Sequence, residues 1–234
     1  MSGQADLKKK QVAEKAVEYI EDGMLIGLGS GSTIYWMMRK LGERIQGGLK
    51  VKGIPSSKRT EKWAEEFGIP LTTFSEVQQL DLAIDGADEV DPDLNLIKGG
   101  GGSLLREKMV DDVSTRLIIV VDDSKLVSQL GKFPLPVEVV PFGWETTAQR
   151  IAALGITPRL RSNEDGVFIS NNGNYILDCP FERMEDPNAL HQQLKGMLGV
   201  VETGLFLNMT DVVLVGRGDG VQVIDKKRRH SFFE

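Results

Sequence analysis

Short apolar runs recur along the first half of the chain, each followed by helical periodicity, and this alternation constrains the fold more than any other feature. Residues 24–28, 51–54, 80–84 and 117–121 are strand-sized, and 33–45, 58–67 and 103–113 read as helices between and after them. Strands that are apolar at consecutive positions need cover on both faces. That is the condition of a parallel sheet with helices on either side. A further amphipathic helix is expected over 7–21, with Leu7, Val12, Ala13, Ala16, Val17 and Ile20 near one face and Gly23 as its stop.

The pattern changes after Gly131. Phe-Pro-Leu-Pro at 133–136 brackets a linker, 137–140 reads as a strand, and 144–154 as a helix ending at Gly155. Residues 159–161 and 168–178 look like antiparallel strands with turn chemistry at Asn171-Asn172-Gly173. Asp186-Pro187 is a natural helix start, Asp as N-cap and Pro as first residue. The runs 211–215 and 221–224 return to strand character and can rejoin the first sheet. The expected class is α/β: a Rossmann-like parallel-sheet domain, 1–130 plus 207–234, with a smaller α+β (ferredoxin-like) domain, 131–206, inserted before the C-terminal strands.

Composition narrows the function classes. The hydrophobic fraction of 41% and charged fraction of 26% are those of a globular protein, and no apolar run nears the ~20 residues of a membrane span. Residues 1–10 lack the apolar stretch of a secretory signal, and Cys179 is the only cysteine, so a reducing cytoplasm is expected. The net charge of −6 argues against a general nucleic-acid binder, and an anionic substrate needs a local positive pocket. The basic run 226–229 reads as a solvated tail. His191 and His230 are far from each other and from Cys179, with no metal-ligand spacing. Acid–base chemistry therefore falls to Asp, Glu and Lys.

Three segments carry such groups. Between the first strand and its helix, Gly-Leu-Gly-Ser-Gly-Ser-Thr at 27–33 offers bare backbone, the hydroxyls of Ser30, Ser32 and Thr33, and a helix start that favours an anion. It reads equally as a glycine-rich turn with a Ser/Thr helix cap. Ser32 stands where a dinucleotide fingerprint needs Gly, and Pro55-Ser56-Ser57-Lys58 lacks the acidic residue that would hold a ribose. Asp85 and Asp88, separated by Gly86 and Ala87, follow the third strand, at the edge where open α/β sheets place ligands; taken alone they also read as a surface Asp-Gly turn. Asp91 and Asp93, around Pro92, read as solvated loop residues. Lys98 then runs into Gly99, Gly100, Gly101 and Gly102, with Ser103 as a plausible N-cap and Glu107 one turn into the helix. Four consecutive glycines carry a large entropy cost unless positive φ or close approach demands them. A helix start favours the ionised carboxylate, and burial opposes it, so a useful base there needs partial burial; the alternative is an exposed Glu107 in salt bridges with Arg106 and Lys108. Lys125, after the fourth strand, can supply positive charge at the same sheet edge.

Together these segments resemble the type A ribose-5-phosphate isomerases. The matching pieces are Gly-Ser-Gly-Ser-Thr at 29–33, Asp-Gly-Ala-Asp-Glu at 85–89, Lys-Gly-Gly-Gly-Gly at 98–102, Arg-Glu-Lys at 106–108, Asp-Ser-Lys at 123–125, Leu-Gly-Lys-Phe-Pro-Leu-Pro-Val-Glu-Val at 130–139, Asn-Asn-Gly-Asn at 171–174 and Gly-Leu-Phe at 204–206. The resemblance implies interconversion of D-ribose 5-phosphate and D-ribulose 5-phosphate without metal or organic cofactor. It implies Glu107 as the base acting through a cis-enediol(ate), Asp85 as a proton-handling group, Lys98 as the stabiliser of developing charge, and Asp88 as a holder of sugar hydroxyls. Ser30, Gly31, Ser32, Thr33, Gly86, Ala87, Gly99, Gly100, Gly101 and Lys125 are then further substrate contacts. Lys9 can approach the phosphate, although the run Lys8-Lys9-Lys10 leaves that assignment ambiguous. A homodimer or dimer of dimers is implied as well.

Two rival readings remain. One is a non-catalytic sugar-phosphate-binding sensor. Such sensors often carry a helix-turn-helix segment, for which no room is expected before residue 7. The other is a nicotinamide-dependent oxidoreductase, disfavoured by Ser32 and the missing acidic residue.

Overall fold

A computed structural model describes residues 2–226; the tail 227–234, with His230 and most of the basic run, lies outside the described residues. The chain divides into two compact units. The first comprises Met1–Ala87, Arg106–Leu126 and Met209–Glu234, and the second Asp88–Leu105 and Val127–Asn208.

In the first unit a six-stranded sheet runs in the order Gly220–Asp225, Val212–Arg217, Leu117–Asp122, Leu82–Asp85, Leu25–Leu28, Lys52–Pro55. The inner pairings are parallel, and only the terminal hairpin Val212–Arg217/Gly220–Asp225 is antiparallel. The late apolar runs therefore do rejoin the first sheet. Counted along the chain, the five parallel strands lie in the order 2-1-3-4-5. The direction of winding reverses between Leu25–Leu28 and Leu82–Asp85, which is where such sheets bind ligands.

The side chains explain the two covered faces. Ile26, Leu28, Ile84, Ile118, Val120 and Leu214 share one buried cluster with Val12, Ala13 and Ala16 of the helix Ser2–Val17 and Ile34, Met37 and Met38 of the helix Ser32–Gln46. Ile54 and Leu80 face a second cluster with Val110 of the helix Leu104–Asp112. The helix Lys58–Phe67 starts on Ser57, whose hydroxyl accepts the Thr60 N–H, and ends on left-handed Gly68. Caps of this kind contribute about 1 kcal/mol.

The first helix departs from its expected span of 7–21. It starts at Ser2 and ends at Val17, where Arg44 donates to the carbonyls of Val17 (2.5 Å) and Ile20 (3.1 Å). Exposed last-turn carbonyls take a cationic donor readily, so the stop is set by a residue 27 positions away rather than by Gly23. Leu7 is also not on the buried face; it is half-exposed.

The second unit holds a four-stranded antiparallel sheet in the order Val200–Thr203, Leu135–Val139, Tyr175–Cys179, Arg159–Leu160. Along the chain its elements run strand, helix Trp144–Ala152, strand, strand, helix Pro187–Lys195, strand. Leu135, Val137 and Val139 point into a core shared with Ile151 and Leu194, while Pro136 and Glu138 lie on the alternate positions. The expected linker at 133–136 is thus partly strand: Pro136 is the strand's second residue, and the paired register with Val200–Thr203 begins only at Val137. Asp186 accepts the Ala189 N–H at 2.9 Å and caps the last helix with Pro187 following, as the sequence indicates. Burial pushes the Cys179 thiol up to about 12, with Asp178 adding to the effect, so the thiol stays protonated and inert. A three-stranded sheet, Leu205–Phe206, Leu96–Ile97 and Glu89–Val90, and a short antiparallel pair, Ser162–Asn163 with Gly166–Val167, complete this unit. Among the described residues no helix is long and apolar enough to cross a membrane.

Candidate active site

The first unit gathers groups at the carboxyl ends of its strands. Asp85, the last residue of the third strand, is fully buried. Its Oδ1 accepts the N–H groups of Ser30 (2.9 Å) and Gly86 (2.7 Å). The loop after the first strand is thereby tied to the end of the third, across the reversal point. Gly29 makes this approach possible, because a Cβ there would lie 2.6 Å from the Asp85 Cα.

Behind the loop stands a set of hydroxyls that the sequence reading missed. Ser30 Oγ lies 2.9 Å from Ser56 Oγ and 3.3 Å from Thr60 Oγ1, and Thr60 donates to the Gly29 carbonyl at 2.8 Å. The only sequence signal was Pro55-Ser56-Ser57 itself, read for the acid it lacks. The Ser/Thr cap considered for the helix Ser32–Gln46 does not form. Its N-cap is Gly31 (φ 104°), with no side-chain hydrogen bond, so Ser32 and Thr33 contribute first-turn amides.

Glu107 occupies the first turn of the helix Leu104–Asp112 and is buried, not exposed between Arg106 and Lys108. Glu107 and Val110 share a helix face, three residues apart. Val110 packs on the first strand so closely that Gly27 has no room for a Cβ. Glu107 therefore faces the sheet, three residues (~4.5 Å) nearer the helix start than that contact.

Lys125 lies in the short turn Asp123–Lys125 after the fourth strand, where Asp122 accepts the Ser124 N–H at 2.9 Å. Of the three early lysines it is Lys8 that reaches this turn, donating to Asp123 at 2.7 Å. That bond holds the Asp123 carboxyl below its usual range. Lys10 lies 3.9 Å from Glu14, and Lys9 makes no such ion pair among the described residues.

The second unit holds Asp88 and Lys98 at the same end of an antiparallel pair, Asp88 just before Glu89–Val90 and Lys98 just after Leu96–Ile97. The Asp88 N–H donates to Ile97 O at 2.8 Å, and the Lys98 N–H to Gly204 O at 2.9 Å. Lys98 is almost fully buried, its Nζ 5.2 Å from the Phe206 ring centroid. Asp88 Oδ2 accepts the Gly100 N–H at 2.7 Å, and the glycine loop closes through Gly102 N–H to Gly99 O at 2.9 Å. Gly99 and Gly102 have φ of 101° and 81°, conformations that suit glycine alone.

Asp91 is a structural residue rather than a solvated one. It accepts the N–H groups of Asp93 and Asn95 and shapes the turn between the two strands. Burial pushes its carboxyl up, against the effect of those hydrogen bonds. His191 is engaged with the Thr203 hydroxyl at 2.8 Å.

A doubly wound sheet with a buried carboxylate and uncapped amides at its reversal point defines an α/β protein of the class that holds small ligands at that edge. The family model of ribose 5-phosphate isomerase A (phosphoriboisomerase A) matches residues 52–220. Ribose-5-phosphate isomerase A 1 of Oceanobacillus iheyensis is 54% identical over 93% of this chain and 98% of its own length. The solved ribose 5-phosphate isomerase A of Methanocaldococcus jannaschii superposes with a TM-score of 0.90 at 42% identity, covering 94% of this chain and 98% of that one. A D-ribose-5-phosphate isomerase in complex with phospho-erythronic acid gives 0.92 at 38% identity, with 94% and 99% covered. The chain belongs to the ribose 5-phosphate isomerase A family.

Proposed function

We propose that this protein interconverts D-ribose 5-phosphate and D-ribulose 5-phosphate by metal-independent proton transfer, with Glu107 as the base. Glu107 takes the proton from C2 of the open-chain aldose. The electron pair forms the C1–C2 double bond of a cis-enediolate, and Glu107 returns the proton to C1 to give the ketose. Asp85 transfers the accompanying proton between the O1 and O2 positions. Lys98 stabilises the oxyanion charge that develops, a contribution worth most in a water-poor setting. Asp88 holds sugar hydroxyls, and Ser30, Gly31, Ser32, Thr33, Gly86, Ala87, Gly99, Gly100, Gly101, Lys125 and Lys9 supply the remaining contacts, phosphate included.

The observation that carries this reading is the Asp85 carboxylate, locked by two backbone amides at the sheet's reversal point, in the same unit as the buried, sheet-facing Glu107. A relative that holds phospho-erythronic acid, a phosphate ester with a carboxyl group, supports an anionic sugar derivative as ligand. The same reading assigns a Rossmann-like catalytic domain, 1–130 plus 207–234, and an inserted ferredoxin-like domain, 131–206, favoured by the strand-helix-strand-strand-helix-strand order. It also assigns a cytoplasmic homodimer or dimer of dimers acting in pentose phosphate metabolism.

The deciding assay is ribulose 5-phosphate formation from ribose 5-phosphate in excess EDTA. Sustained turnover is expected. Binding without turnover by well-folded protein would instead make the chain a sensor. Gly101→Ala tests the glycine cradle. A Cβ at Gly101 meets nothing within 4 Å, so thermal stability is expected to hold while KM rises roughly tenfold, equivalent to about 1.4 kcal/mol. An unchanged KM would remove Gly101 from the contacts.

A further inference from the structure

The glycine loop is gripped by a side chain that no motif in the sequence marks. Arg161 follows the strand Arg159–Leu160, and its guanidinium is fixed by Asp178 on the neighbouring strand, through Nε to Oδ2 at 3.0 Å and through Nη2 to Oδ1. Nη1 then donates to the carbonyls of Gly99 (2.8 Å) and Gly100 (3.2 Å). The Phe168 ring, 5.8 Å from Arg161 Cζ, occupies the space where a side chain at position 102 would go. Arg161 and Phe168 thus support the loop together.

Peptide geometry turns this grip into an orientation. A trans peptide carries its C=O and N–H on opposite sides, and no described peptide is cis. Holding the Gly99 carbonyl turns the Gly100 N–H the other way, where Asp88 Oδ2 accepts it at 2.7 Å. Holding the Gly100 carbonyl turns the Gly101 N–H toward that same side. A tetraglycine without the grip would sample many backbone states. A planar guanidinium can bind a carboxylate with one edge and two carbonyls with its remaining N–H groups; an ammonium presents only a point charge.

We propose that Arg161, held by Asp178, is a positioning residue: it aims the Gly101 N–H at the substrate and sets the direction of the Asp88 carboxylate through the Gly100 peptide. This rests on the isomerase reading above, in which Asp88 and these glycines contact the sugar phosphate.

Steady-state kinetics of wild type, Arg161→Met and Arg161→Lys on ribose 5-phosphate, with thermal unfolding alongside, test it. Arg161→Met is expected to lose about 10- to 100-fold in kcat/KM, the scale of an ångström-sized misplacement, with KM raised. Arg161→Lys should recover part of that loss. A merely structural role would shrink the folded fraction, lowering apparent kcat at constant KM, and that result overturns the proposal, as does wild-type kinetics for Arg161→Met. Should Arg161→Met not fold, Asp178→Asn keeps the shape while setting an amide N–H against the guanidinium. Its KM should rise several-fold, and an unchanged KM counts against the grip. Wild-type turnover with a silent Arg161→Met removes positioning alone, whereas absent wild-type turnover removes the isomerase reading and this inference with it.

Discussion

Replacing Glu107 by Gln is expected to lower kcat by about 10²–10⁴, the usual contribution of a placed general base, while KM moves little. The amide matches the carboxylate in size, and Glu107 is buried on the sheet-facing side of its helix, so the fold should tolerate the exchange. What is lost is the only group there assigned to carry a proton between adjacent carbons. Solvent deuterium provides a second readout: wild type should place deuterium at C1 of ribulose 5-phosphate, and Glu107→Gln should not. Near-normal kcat in the variant would show that another residue is the base, even with the isomerase activity intact.

Gly29→Ala is expected to damage stability and catalysis together. The new methyl would sit 2.6 Å from the Asp85 Cα, a backbone atom that cannot swing aside like a side-chain end. Overpacking of this sort costs about 3 kcal/mol, or roughly 6–12 °C in Tm for a chain of this size. Relief requires the first loop to part from the third strand, breaking the Ser30 N–H to Asp85 bond, so kcat/KM should fall about 10²-fold as well. Paired melting and kinetic measurements decide the matter. A Tm within two degrees of wild type, with full activity, would mean that the junction is not the rigid element described above.

The elements themselves were largely legible in the sequence. Residues 117–121 read as a strand covered on both faces, the helix over 58–67 has its expected span, and Asp186-Pro187 is a helix start that the backbone obeys. Asp85 was visible as a candidate because it follows the third strand at the edge where α/β sheets place ligands, and Glu107 because it lies one turn past the glycine run. Apart from the absent cap at Gly31 and the local bonds of Asp91, the misses depend on a partner remote in sequence. The first helix stops at Val17, where Arg44 takes the Val17 and Ile20 carbonyls, and Pro136 joins a strand because Asp178 pairs with it on one side and the Gly204 N–H reaches its carbonyl on the other. Ser56 and Thr60 back the first loop only once two strands are neighbours. Arg161 carries no local signal, because Asp178 and the glycine carbonyls meet it only in the fold.

By itself the sequence determined a parallel α/β sheet and the chemical types available to a site: carboxylates, lysines, hydroxyls and bare amides, with no usable histidine pair. Those follow from local periodicity and composition, which a chain carries with it unfolded. Only the tertiary structure decided the strand order 2-1-3-4-5, the burial of Glu107, the choice of Lys8 as the partner of Asp123, and the meeting of Ser30 with Asp85 across 55 residues. Strand order and burial are settled by which non-local contacts best cover the sheet's two faces, and no local pattern encodes that competition.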